Sequence, residues 1–290
     1  MSIPFQAVLR DNEADRFKWS VKKMKRRSLI SLCVCAIAAG GLLVGCSDDA
    51  AKSGVLKVGA SPVPHADILK AAQPMLAKEG VKLEVIEFTD YVQPNMALAD
   101  KELDANFFQH KPYLDNFAKE RKLQLESLVA VHIEPMGVYS KKVKDVKAVA
   151  DGAKVAIPND PTNGGRALKI LADAGFFTLK EGVGVNGTPA DIVANPKQIQ
   201  IIEMEAAVLP RALDDVDFAV INSNYALGVN LNPMKDALYM ESKDSPYANI
   251  VAVRTGDKRE DLQKLAKALT SPEMRKFIED KYQGAVVPAF

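Results

Sequence analysis

The chain has 290 residues, 48% of them hydrophobic, with 38 Lys and Arg against 37 Asp and Glu, a formal net charge of +1. The first 45 residues hold 8 of the basic and 3 of the acidic side chains, so the remainder carries about −4, which argues against a nucleic-acid partner because such proteins present a basic face. Cys33, Cys35 and Cys46 are the three cysteines, so the body that follows has no disulfide, thiol nucleophile or thiolate metal site, and at about 245 residues it is long enough to be stable on its core alone.

In chain order, the first informative segment starts at Met24. Lys25, Arg26 and Arg27 give a cationic start, an apolar run follows from Leu29 to Val44, and "LVGC" closes it. This is the pattern of an export signal, and the run is short for a membrane span of about 20 residues. "LVGC" resembles the lipobox of bacterial lipoproteins, which would make Cys46 the lipidated first residue of the mature protein. A transmembrane anchor with an incidental cysteine is the alternative. Residues 1–23 are polar, mixed in charge and upstream of the signal, and are expected to be a non-native or misannotated extension. Residues 24–45 are then the signal peptide and 46–54 the lipidated tether.

The body begins with "VLKVGAS", an apolar strand ending in small residues, and "HADILKAAQPMLAKEG", helical in spacing with a glycine stop. "VKLEVIEF" alternates as a strand, "QPNMALADKELD" is a helix with Pro94 near its start, "ANFFQH" a short strand edge and "PYLDNFAKERK" a helix. After "LVAVHIEPMGVYS" a second set follows: the strand "AKVAIP", the loop and helix "NGGRALKILADAG", the strand "IQIIEME", the helix "AVLPRALDD" and the strand "FAVINSN". "ANIVAVRTGD" is a long strand, and amphipathic helices broken at Pro272 complete the chain. Alternating strands and helices predict an α/β protein with mostly parallel sheets. The chain passes over at about 135–140 and returns at about 246–253. That predicts a bilobed body joined by two crossing strands, with residues 55–138 and 248–290 in lobe 1 and 139–247 in lobe 2. A cleft between the lobes would gather the residues that follow strands.

Several stretches could carry chemistry there. "IPNDPTNGGRAL" has neither the Walker pattern nor a dinucleotide fingerprint. It reads as a glycine-loosened loop opening a helix, whose free N–H groups favour an anion, with Arg166 in the first turn offering a two-donor fork to a carboxylate. A capped helix with a solvated arginine fits equally well. In "TDYVQPN" and "ANFFQHKPYLD", Tyr91, Phe107, Phe108, His110 and Tyr113 bring aromatics to turns and strand ends. Strand spacing puts Phe108 and His110 on one face and Phe107 on the other, toward the core. An apolar wall with one polar tip suits a thioether or alkyl side chain; plain core packing is the alternative. Asn222 and Asn224, two apart, can share a side and offer donors and acceptors to an amino acid, or simply close the strand as turn residues. Glu134 is a weaker candidate at the crossing. His65, His110 and His132 show no metal-binding spacing with Asp or Glu, so no metal is expected. No nucleophile motif stands out.

At "DANFFQHKPYLDNF", "IPNDPTNGGRAL" and "FAVINSNYA" the chain resembles the methionine-binding lipoproteins of bacterial ABC importers, the NlpA/MetQ family, from the lipobox through the C-terminal helices. The resemblance implies a periplasmic-binding-protein fold, a lipid anchor in the envelope and no catalysis or cofactor. It also implies a monomer that delivers methionine, L- or D-, to a permease with a cytoplasmic ATPase. Carried over residue by residue, Arg166 would clamp the ligand carboxylate. Asn163, Asn222 and Asn224 would contact the α-carbon groups, and Tyr91, Phe108, His110 and His132 would surround the side chain. Another small amino acid, a methionine-containing dipeptide or a periplasmic enzyme on this fold are the alternatives.

Overall fold

The computed structural model describes residues 54–242 and 245–290, so residues 1–23, the signal segment and Cys46 lie outside the described residues. Strand β1 (Leu56–Ala60) leads through an irregular turn into α1 (Asp67–Lys78). There follow β2 (Leu83–Glu87), α2 (Gln93–Ala99), β3 (Ala105–His110), α3 (Lys111–Arg121) and the longest strand, β4 (Leu125–Ile133). Beyond it come β5 (Gly137–Tyr139), β6 (Lys154–Pro158), α4 (Pro161–Asp173), the small hairpin β7 (Thr178–Leu179) and β8 (Ile192–Ala194), and β9 (Gln200–Met204). Helix α5 (Leu209–Ala212), β10 (Phe218–Ile221), α6 (Ser223–Gly228), α7 (Pro233–Asp236) and β11 (Tyr239–Met240) complete this part. The chain ends with β12 (Ala248–Arg254), α8 (Glu260–Leu269), α9 (Pro272–Tyr282) and β13 (Val287–Pro288).

The body is bilobed. A six-stranded sheet runs in the order β13-β4-β12-β3-β1-β2 and a five-stranded one in the order β11-β5-β10-β6-β9. Both are mixed rather than mostly parallel: β1 pairs in parallel with β2 and β3, but β12 is antiparallel to β3 and β4, and β5 is antiparallel to β10. The exceptions are the strands beside the crossings. A chain that leaves a lobe and comes back enters the sheet from the opposite end. For the same reason β3, which reads locally as an edge, is interior and buried along its whole length, because β12 returns to cover its open side. The described parts of the crossings, 134–136, 241–242 and 245–247, are irregular and not strands, slightly earlier than the spacing suggests.

Each sheet is covered on both faces, and strand alternation sorts the side chains between them. In β10, Phe218 and Val220 join Leu168 and Leu171 of α4, while Ala219 and Ile221 face Leu209 and Leu213 on the other side. A strand buried on both faces has no polar positions, which is why "FAVI" is a continuous apolar run. In the larger sheet, Val58 and Phe107 pack with Ile68 and Leu69 of α1, Leu262 and Leu265 of α8 and Ile278 of α9, so the C-terminal helices close the first lobe.

Gly164 and Gly165 do not loosen a loop; both sit inside α4, which starts at Pro161. A Cβ on Gly165 would lie 2.6 Å from the backbone nitrogen of Gly187 and closer still to the Val185 carbonyl. The helix therefore touches the 183–187 segment backbone to backbone. Gly165→Ala is expected to destabilise the fold by about 1–3 kcal/mol, despite alanine's better helix propensity. Urea denaturation of the purified variant measures this, and an unchanged or raised midpoint would show that the loop yields freely.

Candidate functional site

A narrow cavity of about 20 Å³, room for about one water molecule, lies where the strand ends of the two lobes meet. Both lobes line it. Phe108 and His110 come from the end of β3, Tyr91 from the loop before α2, and Asn249 from the start of β12. Asn163 and Arg166 come from α4, Asn222 and Asn224 from the end of β10 and the start of α6, and Glu134 from the first crossing. Hydrogen bonds join the lobes around it: Tyr91 Oη donates to Asn224 Oδ1 at 2.6 Å, His110 Nε2 meets Asn163 Oδ1 at 3.1 Å, and Tyr225 Oη donates to the Thr89 carbonyl at 3.1 Å.

One end is aromatic. The ring centroids of Tyr91 and Phe108 are 5.9 Å apart, those of Tyr91 and Tyr113 5.8 Å, and Tyr113 stacks on Phe117. Tyr113 Oη donates to the Tyr91 carbonyl at 2.9 Å and holds the 91 loop in place. Phe107 points the other way, into the core of the first lobe, as alternation requires. His110 contributes a ring rather than a polar tip. It caps α3 by accepting the Tyr113 N–H on Nδ1 at 3.1 Å, and its Nε2 is spent on Asn163. Burial, together with the Arg166 charge, pushes its pKa down to about 3, so the imidazole is neutral.

The other end is polar, and here Arg166 departs from expectation. It stands in the second turn of α4, not the first. The helix N-terminus is already satisfied by Asp160, whose carboxylate accepts the Asn163 N–H at 2.9 Å. The two-donor edge of the guanidinium does clamp a carboxylate, but a carboxylate of the protein itself. Nε lies 3.0 Å from Glu241 Oε1 and Nη2 2.5 Å from Glu241 Oε2, while Nη2 also donates to the Glu134 carbonyl at 2.8 Å. The guanidinium stacks on Tyr247, 4.3 Å from the ring centre. None of these bonds uses Nη1, which leaves one donor nitrogen at a residue that is 3% exposed and lines the cavity.

The asparagines divide by what they have left to give. Asn163 is spent: Nδ2 donates to both oxygens of Asp160 at 3.0 Å, and Oδ1 accepts from His110 and from Asn222 Nδ2 at 2.9 Å. It lines the cavity, but its polar atoms orient its neighbours and none is left over for a ligand. Asn222 Oδ1, by contrast, is buried with no protein donor among the described residues. Asn224 receives the Tyr91 hydroxyl on Oδ1, and its Nδ2 bonds no described protein group.

His132 does not line the cavity. It is fully buried behind Glu134, with Nε2 2.8 Å from Glu134 Oε1. The sequence shows no metal-binding spacing of histidines with acids, yet the fold brings His65 to the His132–Glu134 pair: each brings an atom within 4.8 Å of the others. The two ring centroids are 5.0 Å apart, and His65 Nε2 lies 3.2 Å from Glu134 Oε1. Burial pushes His65 down to about 4 and His132 to about 3, and raises Glu134 against the pull of His65 and Arg166. Two neutral imidazoles therefore donate Nε2–H toward the acid. A cation seated on both Nε2 atoms would shift those protons to the Nδ1 atoms, which are buried and have no protein acceptor among the described residues, so the group is better satisfied by protons.

Asn249 and Tyr247 are not among the residues that the sequence points to. Asn249 sits inside a long apolar strand and carries no local sign of its role. Tyr113 is named with the aromatic stretch three residues after His110, and the structure adds it to the cavity wall. No helix among the described residues is long and apolar enough to cross a membrane.

A family model described as NlpA lipoprotein matches residues 56–290. The D-methionine-binding lipoprotein MetQ of Salmonella typhimurium is 42% identical over 250 residues, covering 84% of this chain and 92% of that protein. Among solved structures, a nutrient binding protein from Burkholderia cenocepacia bound to methionine is 49% identical with a TM-score of 0.79, covering 81% of this chain and 100% of that one. A periplasmic substrate-binding protein of an ABC transporter from Coxiella burnetii is 41% identical with a TM-score of 0.78, covering 81% and 100%. The matched range takes in both lobes and every cavity residue described above, and the chain belongs to the NlpA lipoprotein family.

Proposed function

We propose that this protein is a substrate-binding lipoprotein of an ABC importer, which captures methionine between its lobes and hands it to a membrane permease driven by an ATPase. The observation that carries the reading is the division of the cavity. Tyr91, Phe108 and Tyr113 form an aromatic wall, and Arg166, Glu134, Asn222, Asn224 and Asn249 converge opposite it. A thioether gains from contact with aromatic rings, about 0.3–1.5 kcal/mol. The ammonium and carboxylate of an amino acid need acceptors and donors that the protein has not already spent. Asn222 Oδ1 and Arg166 Nη1 meet that need on chemistry, and the family relatives named for methionine point to the same ligand.

Binding is by hinge closure. Methionine docks against one lobe, and the second lobe adds its contacts only when the cleft shuts; that difference in affinity drives the shift. The bonds between Tyr91 and Asn224, His110 and Asn163, and Tyr225 and Thr89 belong to the shut state. The protein is a carrier and performs no chemistry on its ligand. It is a monomer, held to the cell envelope by lipid on Cys46 and facing the periplasm. His132 serves the cavity through Glu134, not by contact.

Mass spectrometry of the small molecules released on denaturing the purified protein is expected to find methionine. Added at about 1,000 times its Kd, methionine should raise stability by roughly 4 kcal/mol, read as a thermal shift. A protein that releases none and shows no shift with either enantiomer would overturn the reading. Turnover of the ligand during incubation would favour an enzyme instead.

A further inference from the structure

We propose that His65, which lies outside the cavity wall, is a positioning residue that fixes Asn249 as a hydrogen-bond donor toward the carboxylate of the bound amino acid. The proposal rests on the methionine reading above. It starts from the fact that an asparagine amide can present either its oxygen or its nitrogen to a ligand, and only its other partner decides which. For Asn249 that partner is His65, whose Nε2 lies 2.9 Å from Asn249 Oδ1.

The tautomer of His65 is set by its surroundings. The ring is 1% exposed, and Nε2 also stands 3.2 Å from Glu134 Oε1. A bare nitrogen lone pair there would oppose a carboxylate, whereas an N–H is attracted to it. Nδ1 is buried with no protein partner among the described residues, so a proton on that atom would have no acceptor. The proton therefore sits on Nε2, and Asn249 must turn its oxygen to meet it. That leaves Nδ2, which bonds no described protein group, as the polar group that Asn249 offers to the cavity it lines.

The same logic runs in the opposite sense at Asn222. The Tyr113 N–H occupies His110 Nδ1, so His110 carries its proton on Nε2 and draws Asn163 Oδ1 toward it. Asn222 then gives Nδ2 to that same oxygen at 2.9 Å, and its own Oδ1 is left as an acceptor. Two buried histidines thus assign opposite polarity to two asparagines. The donors at Asn249 and Arg166 select the carboxylate of a zwitterion, and the acceptors at Asn222 and Glu134 select its ammonium.

The test is a double-mutant cycle read by calorimetry with L-methionine, using His65→Ala, Asn249→Ala and the pair, alongside His65→Gln. If His65 acts through Asn249, each alanine variant weakens binding by about tenfold or more, and the pair is no weaker than Asn249→Ala within about threefold. His65→Gln, whose side-chain NH₂ can donate to the same oxygen, recovers most of the affinity and shows that the loss is not one of folding. Losses that multiply in the pair, or native affinity in His65→Ala, would overturn the proposal. A second readout needs no ligand: nitrogen-15 NMR of the imidazoles in the free protein should show His65 with its proton on Nε2. A proton on Nδ1 sinks the inference even if methionine binds well. Absence of saturable methionine binding by the native protein is a different failure; it removes the functional reading and this inference with it.

Discussion

Arg166→Ala is expected to weaken methionine binding by roughly tenfold or more and to lower the stability of the fold at the same time. The first effect is the loss of a charged donor from a dry cavity, where truncating one member of a charge pair costs about 2–5 kcal/mol. The second follows from Glu241. Its side chain is only 12% exposed and takes the two-donor edge of Arg166, so removing the guanidinium strands a carboxylate in a poorly hydrated place. Breaking such a pair from one side costs about 3–5 kcal/mol when it is fully buried, and the lower end applies here because water reaches Glu241 in part. The two effects separate in the double variant Arg166→Ala with Glu241→Gln, which should regain stability in urea denaturation without regaining affinity in calorimetry. Arg166→Lys should also lose most of its affinity, because a point charge on a flexible stem cannot hold Glu241 with two parallel bonds and also reach the cavity. Unchanged affinity in Arg166→Ala would end the role assigned to this residue.

Acid is expected to unfold the protein well before its surface carboxylates would. His65, His110 and His132 are buried and neutral, with pKa values pushed by desolvation to about 4, 3 and 3. In the unfolded chain each returns to about 6.5. Between those limits the unfolded state binds more protons than the folded one, so stability is complete above about pH 6.5 and falls as the pH drops toward the folded values. At pH 5 the loss is about 2 kcal/mol for each histidine, a large share of a total stability of about 5–15 kcal/mol. Glu134 and Asp160 act in the other direction, because burial raises their pKa values and protonation relieves it. Both therefore offset part of the loss from the histidines. Urea denaturation at pH 7 and pH 5 measures it. His110→Gln, which removes one of the three groups, should flatten the dependence by about 2 kcal/mol between those pH values. An unchanged pH dependence in His110→Gln would show that this histidine is reached by solvent.

The site was legible in its aromatic half and only partly in its polar half. Phe108 and His110 share a face of β3 because alternation along a strand is local, and Asn222 and Asn224 share the cavity because they are two apart at the end of β10. What those groups bond was not legible. His110 looked like a polar tip and Asn163 like a ligand contact, yet each spends its hydrogen bonds on protein partners. Arg166 looked like an open fork, but Glu241, 75 positions away in the chain, holds that edge.

The sequence by itself determined the elements, the family and the type of ligand end that each stretch could serve, because helix caps, strand alternation and motif spacing act over a few residues. Tertiary structure alone decided that β3 is interior, that Glu241 closes on Arg166, and that His65 and His132 gather behind Glu134 and Asn249 at the cavity wall. The reason is the return of β12 to the first lobe. It brings Asn249 within 2.9 Å of a residue 184 positions earlier, and no local pattern records a hydrogen bond of that reach.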